Sequence, residues 1–106
     1  MSLQSYVVHL MKPSVALNMH RQAIRELVNR HHATNPRVFG SVLHGEDEDG
    51  SDLDLLIDPL PETTLMDIGA IRHELLQLLT VPVDVLTPRA LPDRFRSVVL
   101  AEAMPV

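Results

Sequence analysis

The chain contains no cysteine and no tryptophan, and its only aromatic residues are Tyr6, Phe39 and Phe95. The first absence excludes disulfides and thiolate metal sites. The scarcity of rings leaves packing to Leu, Ile and Val, within a hydrophobic fraction of 45% that is ordinary for a globular protein. A basic surplus is also missing: 9 Lys and Arg face 14 Asp and Glu, a formal net charge of −5. Proteins that grip nucleic acid by its phosphates normally carry the opposite balance on one face, so no direct nucleic-acid binding is expected. A phosphate substrate stays compatible with this charge where metal ions stand between the two anions. There is no basic segment followed by a short apolar stretch at the N-terminus, and no apolar run approaches ~20 residues. Those absences point to a soluble cytoplasmic protein without membrane association.

What is present is one domain's worth of chain, 106 residues, read as a single domain over residues 1–106 with its core at about 14–106. Residues 1–12 show no clear period and are left open as an arm or a strand-like contact. From Ser14 to about His32 the apolar residues Ala16, Leu17, Ala23, Ile24, Leu27 and Val28 fall in one arc of a helical wheel, with His20 and His31 inside it. Asn35-Pro36 stops that helix, and Arg37-Val38-Phe39 is a brief strand ending at Gly40. Ser41 to Gly45 has room for one helical turn, and Glu46 to Ser51 reads as an acidic, solvated loop. In the strand Asp52 to Ile57, Leu53, Leu55 and Ile57 face the core while Asp52, Asp54 and Leu56 face away. A second amphipathic helix runs from about Thr64 to Leu79, opened by a capping-box pattern of Thr64 with Asp67. Val81 to Leu86 is a third strand, with Asp84 on the face opposite its valines. Pro92 opens a last helix whose stripe of Leu91, Phe95, Val98 and Val99 is expected to be buried. The order is helix, strand, strand, helix, strand, helix, which gives an α/β fold: a small mixed β-sheet with helices packed mainly on one face.

The chemistry gathers around Asp52 and Asp54. Two residues apart on a strand, their carboxylates leave the same face, and such anions raise one another's pKa unless a cation lies between them. Hard divalent ions with oxygen ligands, Mg²⁺ above all, are the natural partners. If the strand carrying Asp84 neighbours theirs, three carboxylates converge, which suits two metal ions about 4 Å apart. Gly40 directly after a strand lets backbone approach a ligand closely, and Ser41 offers donors to phosphate oxygens. Together these parts make a phosphoryl- or nucleotidyl-transfer site, in which Asp84 helps to deprotonate an attacking hydroxyl.

Other patterns fail on their own terms. The run Glu46-Asp47-Glu48-Asp49 with Gly50 puts Gly45 where a calcium loop needs Asp. His73-Glu74-Leu75-Leu76-Gln77 lacks the second His of a zinc-protease helix. His20 and His31 stand three turns apart and cannot share an ion; they read as packed or partner-contacting. His44 is near enough to Ser41 in sequence to reach a phosphate.

Val38-Phe39-Gly40-Ser41, ten further residues, then Asp52-Leu53-Asp54-Leu55-Leu56-Ile57 resembles the signature of the polymerase-β-like nucleotidyltransferase superfamily. Gly45 and Ser51-Asp52 resemble its minimal nucleotidyltransferase (MNT) group, Asp84 falls where that group keeps a third carboxylate, and residues 100–106 look like its tail. Val42-Leu43-His44 departs from the small and basic residues usual after the Gly-Ser pair. The resemblance covers about residues 14–106. It implies catalytic and metal-binding roles for Asp52, Asp54 and Asp84 with Mg²⁺ as two ions. It also implies phosphate binding at Gly40 and Ser41, with ATP as substrate. Stand-alone members are typically prokaryotic and often paired with an HEPN-domain protein as antitoxin and toxin, so the resemblance implies an antitoxin in hetero-oligomer with an HEPN-domain ribonuclease toxin, transferring AMP from ATP to a tyrosine of it. Two alternatives stand beside this expectation: a non-catalytic antitoxin acting by binding and occlusion, and a nucleotidyltransferase of small molecules.

Overall fold

The computed structural model describes residues 11–106; most of the segment left open at the start of the chain lies outside the described residues. Helices α1 (Pro13–Met19) and α2 (Arg21–Arg30) lead into β1 (Ala33–Phe39), which runs into the short helix α3 (Gly40–Leu43). Strand β2 (Leu53–Pro59), helix α4 (Leu65–Leu79) and strand β3 (Val83–Leu86) follow. A 3₁₀ turn at Pro88–Ala90, helix α5 (Asp93–Glu102) and strand β4 (Met104–Pro105) complete the described chain.

The strands form one sheet in the order β3-β2-β1-β4. Strand β1 is antiparallel to both β2 and β4, whereas β2 and β3 run parallel, joined by α4 as the crossover. This is the mixed sheet expected. Its core face is aliphatic: Leu53, Leu55 and Ile57 of β2 pack with buried residues of α1, α2 and α4, among them Leu17, Val28 and Leu75. Leu56, on the other face, is fully buried outside that cluster, and the 3₁₀ turn lies against β2. Among the described residues no helix is long and apolar enough to cross a membrane.

Local chemistry explains most element ends. Thr64 accepts a hydrogen bond from the Asp67 backbone N–H, and the Asp67 side chain accepts one from the Thr64 backbone N–H, the capping box expected at α4. The long first helix is instead two, parted at His20. The break falls where Met19 turns to solvent, and Arg21 donates to the Asn18 side-chain oxygen across it at 3.1 and 3.0 Å. Asn35-Pro36 does not precede a strand but sits inside one. The partners of β1 on β2 jump from Thr34↔Asp58 to Arg37↔Leu56, so Asn35 and Pro36 oppose one residue, with Asn35 at φ 54°. A bulge is a place where a strand tolerates proline, whose missing N–H forfeits no ladder bond there.

Two further expectations change. Asp47 is not solvated: it is buried, and its carboxylate accepts from the Ser14 backbone N–H of α1 at 2.9 Å. The stripe on the last helix is buried only at Leu91, while Phe95 and Val98 are 49% and 53% exposed. Helical spacing marks a face but not what covers it. The pairing of β4 with Arg37 and Val38 has no counterpart in the sequence pattern, since two residues are too few to show a period.

Candidate active site

Strand register assembles the site. In the parallel β2–β3 pair Asp54 stands opposite Asp84, and in the antiparallel β1–β2 pair it stands opposite Phe39, the residue before Gly40. Neighbouring strands lie about 4.8 Å apart, so Asp54 is flanked by a carboxylate on one side and by the start of α3 on the other. Asp52 stands immediately before β2, near enough for its charge to act on Asp54. Asp54 is half-buried, while Asp52 and Asp84 are exposed. Burial first, then the charges of Asp84 and Asp52, push the Asp54 carboxyl up to about 6. Two carboxylates therefore stand close enough to Asp54 to disfavour its ionisation, and a cation relieves that repulsion.

Gly40 is required in this arrangement for two separate reasons. Its φ is +72°, in the left-handed region that favours glycine. A β-carbon built on it also falls on the Asp54 carboxylate, with Asp54 Cγ at 3.2 Å. The absent side chain is the space the carboxylate occupies. Ser41 follows at the first turn of α3 and is half-buried, its carbonyl accepting from Glu46 N–H at 2.9 Å. The first amides of that helix have no acceptor within it, so they are donors free for another partner.

Beside Asp52 and Asp84 opens a cavity of about 560 Å³, lined also by Arg72, Leu76, Thr80, Val81, Pro82 and Val83. Arg72 is a lining residue that the sequence pattern does not single out. Its only signal there is the four-residue spacing to Leu76 on one side of α4. His31 and His44 take structural parts. His31 Nε2 lies 2.5 Å from Glu74 Oε2 and Arg30 Nη2 lies 3.2 Å from Glu74 Oε1, tying α2 to α4. The Arg30 hydrogen bond first, then His31, holds Glu74 below the usual carboxylate range. His44 turns to Glu102 at the end of α5, 3.1 Å away.

Among the described residues no three His, Asp or Glu side chains form a ready-made cage for an ion. The donor set nevertheless fits Mg²⁺, which is commonly held by one or two carboxylates with substrate phosphates and water filling its octahedron. Closely spaced acidic oxygens with one carboxyl pushed up to about 6 supply that kind of incomplete ligand set.

Residues 17–106 match the family described as nucleotidyltransferase domain. A candidate protein adenylyltransferase of Methanocaldococcus jannaschii is 28% identical over 90 residues, covering 85% of this chain and 97% of the relative. A solved structure of a candidate minimal nucleotidyltransferase superposes with a TM-score of 0.79 at 42% identity, over 88% of this chain and 95% of that one. A toxin–antitoxin crystal structure with AMP-PNP shares the fold, with a TM-score of 0.67 at 17% identity over 79% of this chain and 69% of that one.

Proposed function

The chain belongs to the nucleotidyltransferase domain family, and we propose that it uses Mg²⁺ to transfer AMP from ATP to a hydroxyl of a partner protein. The proposed partner is an HEPN-domain ribonuclease toxin, the acceptor a tyrosine of it, and the outcome silencing of the toxin by its antitoxin. The observation that carries the reading is the register that sets Gly40 against Asp54 and Asp54 against Asp84. The similarity to a candidate protein adenylyltransferase supports the acceptor class. The fold shared with a toxin–antitoxin structure holding AMP-PNP supports the setting.

The residues divide the work by position. The amides opening α3, with Ser41, hold the β- and γ-phosphates on the β1 side of Asp54. Asp52, Asp54 and Asp84 would hold the metal. When bound, Mg²⁺ supplies charge neutralisation at the phosphates and lowers the cost of deprotonating the acceptor. Asp84, on the strand away from the phosphate turn, accepts the proton of the attacking hydroxyl. Transfer then leaves AMP on the acceptor oxygen and releases pyrophosphate.

One observation favours a second reading. Phe95, Val98 and Met104 present apolar surface that the described residues leave uncovered, and a partner covering it could be neutralised by occlusion alone. Incubation with α-labelled ATP, Mg²⁺ and the product of the adjacent gene separates the two. Label on the partner, reduced at least 10³-fold by Asp52→Asn with Asp54→Asn, is the expected result. Neutralisation that survives both substitutions with no label transferred sinks the catalytic reading and leaves the occlusion one.

A further inference from the structure

The cavity beside Asp52 and Asp84 has a composition that phosphate binding does not use. It is lined by the aliphatic residues Leu76, Val81, Pro82 and Val83, by the carboxylates Asp52 and Asp84, and by Arg72. Three arginines elsewhere are held in ion pairs, Arg30 with Glu74, Arg37 with Asp58 and Arg96 with Asp93. Among the described residues Arg72 is in no ion pair. A planar fork of five N–H donors on a residue lining a cleft suits bidentate capture of a carboxylate or phosphate.

The sheet decides between those two anions. The phosphate turn at Gly40 touches Asp54 from β1. No residue of β1 or α3 lines the cavity, which is bounded by the β3 start and the last turns of α4. With strand order β3-β2-β1-β4, β2 and its carboxylates lie between the two. The Gly40 turn and the cavity thus lie on opposite sides of Asp54, so a group held in the cavity approaches the site from the Asp84 side.

We infer that this cavity is the acceptor subsite, and that Arg72 binds a carboxylate next to the acceptor hydroxyl, the acceptor lying in an acidic stretch of the partner protein. The inference rests on the proposed transfer reaction for the word acceptor, though not for the binding itself. With cations on Asp52, Asp54 and Asp84, the charge left without a partner in the cleft is the positive one on Arg72. The aliphatic walls take the side chain that carries the hydroxyl, and Asp84 meets its oxygen.

The probes are two fluorescein-labelled peptides of equal length, each with one tyrosine, flanked by Asp and Glu in one and by Lys in the other. Anisotropy with Mg²⁺ and a non-hydrolysable ATP analogue measures binding, and α-labelled ATP measures transfer. The protein should bind the acidic peptide at least tenfold more tightly than the basic one. Arg72→Gln should raise its Kd, and its KM in transfer, about tenfold. The KM for ATP should stay unchanged, and Arg72→Glu should reverse the preference in favour of the basic peptide. Equal affinity for both peptides, or a Kd that Arg72→Gln leaves alone, overturns the inference. A rise in the KM for ATP instead assigns Arg72 to the nucleotide and overturns it too. Peptide binding that depends on Arg72 with no AMP transferred upholds the subsite and shows the transferase reading to be at fault.

Discussion

Asp54 carries the cost of the site in its own ionisation. Its folded pKa of about 6 exceeds the ~3.9 of an unfolded aspartate. Between those values the native state binds the extra proton, so stability is greatest below the lower value and is lost as pH rises through the upper. Urea unfolding of the metal-free protein should accordingly show stability falling from about pH 4 to about pH 7. Asp54→Asn should flatten that slope and raise stability at pH 8 by about 1–2 kcal/mol, reduced from the full shift by solvent at the open face. At this scale the sequence is most informative. Alternation on a strand suffices to put Asp52 and Asp54 on one face, and Gly40 after an apolar run suffices to suggest a close approach. That the approaching group is the Asp54 carboxylate itself depends on the β1–β2 register, which no local pattern encodes. Arg72 was invisible for a related reason: an exposed cation on a helix looks the same whether it faces solvent or a cleft.

Among the elements, α1 shows how a distant residue can do a local job. Lys12 at its N-cap has no side-chain acceptor, so the Ser14 N–H is capped by Asp47 from the loop between α3 and β2. Asp47→Ala should cost about 1 kcal/mol in chemical denaturation, and Asp47→Asn less, because the amide oxygen still accepts. The α4 capping box could be read directly, since Thr64 and Asp67 are three residues apart. The α1 cap could not, because Ser14 and Asp47 are 33 residues apart. The same contrast separates the legible strand at Asp52–Ile57 from the bulge at Asn35-Pro36, where a local breaker is overruled by pairing with β2.

Across the whole molecule, the α/β architecture and the helices on one face follow from periodicity, and the neighbouring of β2 and β3 follows from topology. The covering of α5 follows from neither. Phe95 is 49% exposed with the Arg94 guanidinium 5.0 Å from its ring centroid. Phe95→Ala should therefore change unfolding free energy by no more than about 0.5–1 kcal/mol, against the 3–5 kcal/mol of a phenylalanine buried as the stripe suggested. Thermal and urea denaturation of the isolated chain distinguish the two values.

The order of strands in the sheet also has a kinetic meaning. Strands β1 and β2 join across a short stretch of sequence, and α4 carries the chain from β2 to β3, so the half of the sheet holding Asp54 and Asp84 closes modest loops. Strand β4 must return across the full length of α4 and α5 to reach Arg37 and Val38. Closure entropy grows with that separation, and it is offset by two residues of pairing together with the burial of Val106 and its N–H bond to the Pro36 carbonyl. Amide hydrogen exchange should find β4 opening far more often than Leu55 at the centre, placing the weakest seam of the sheet on the edge farthest from the carboxylates.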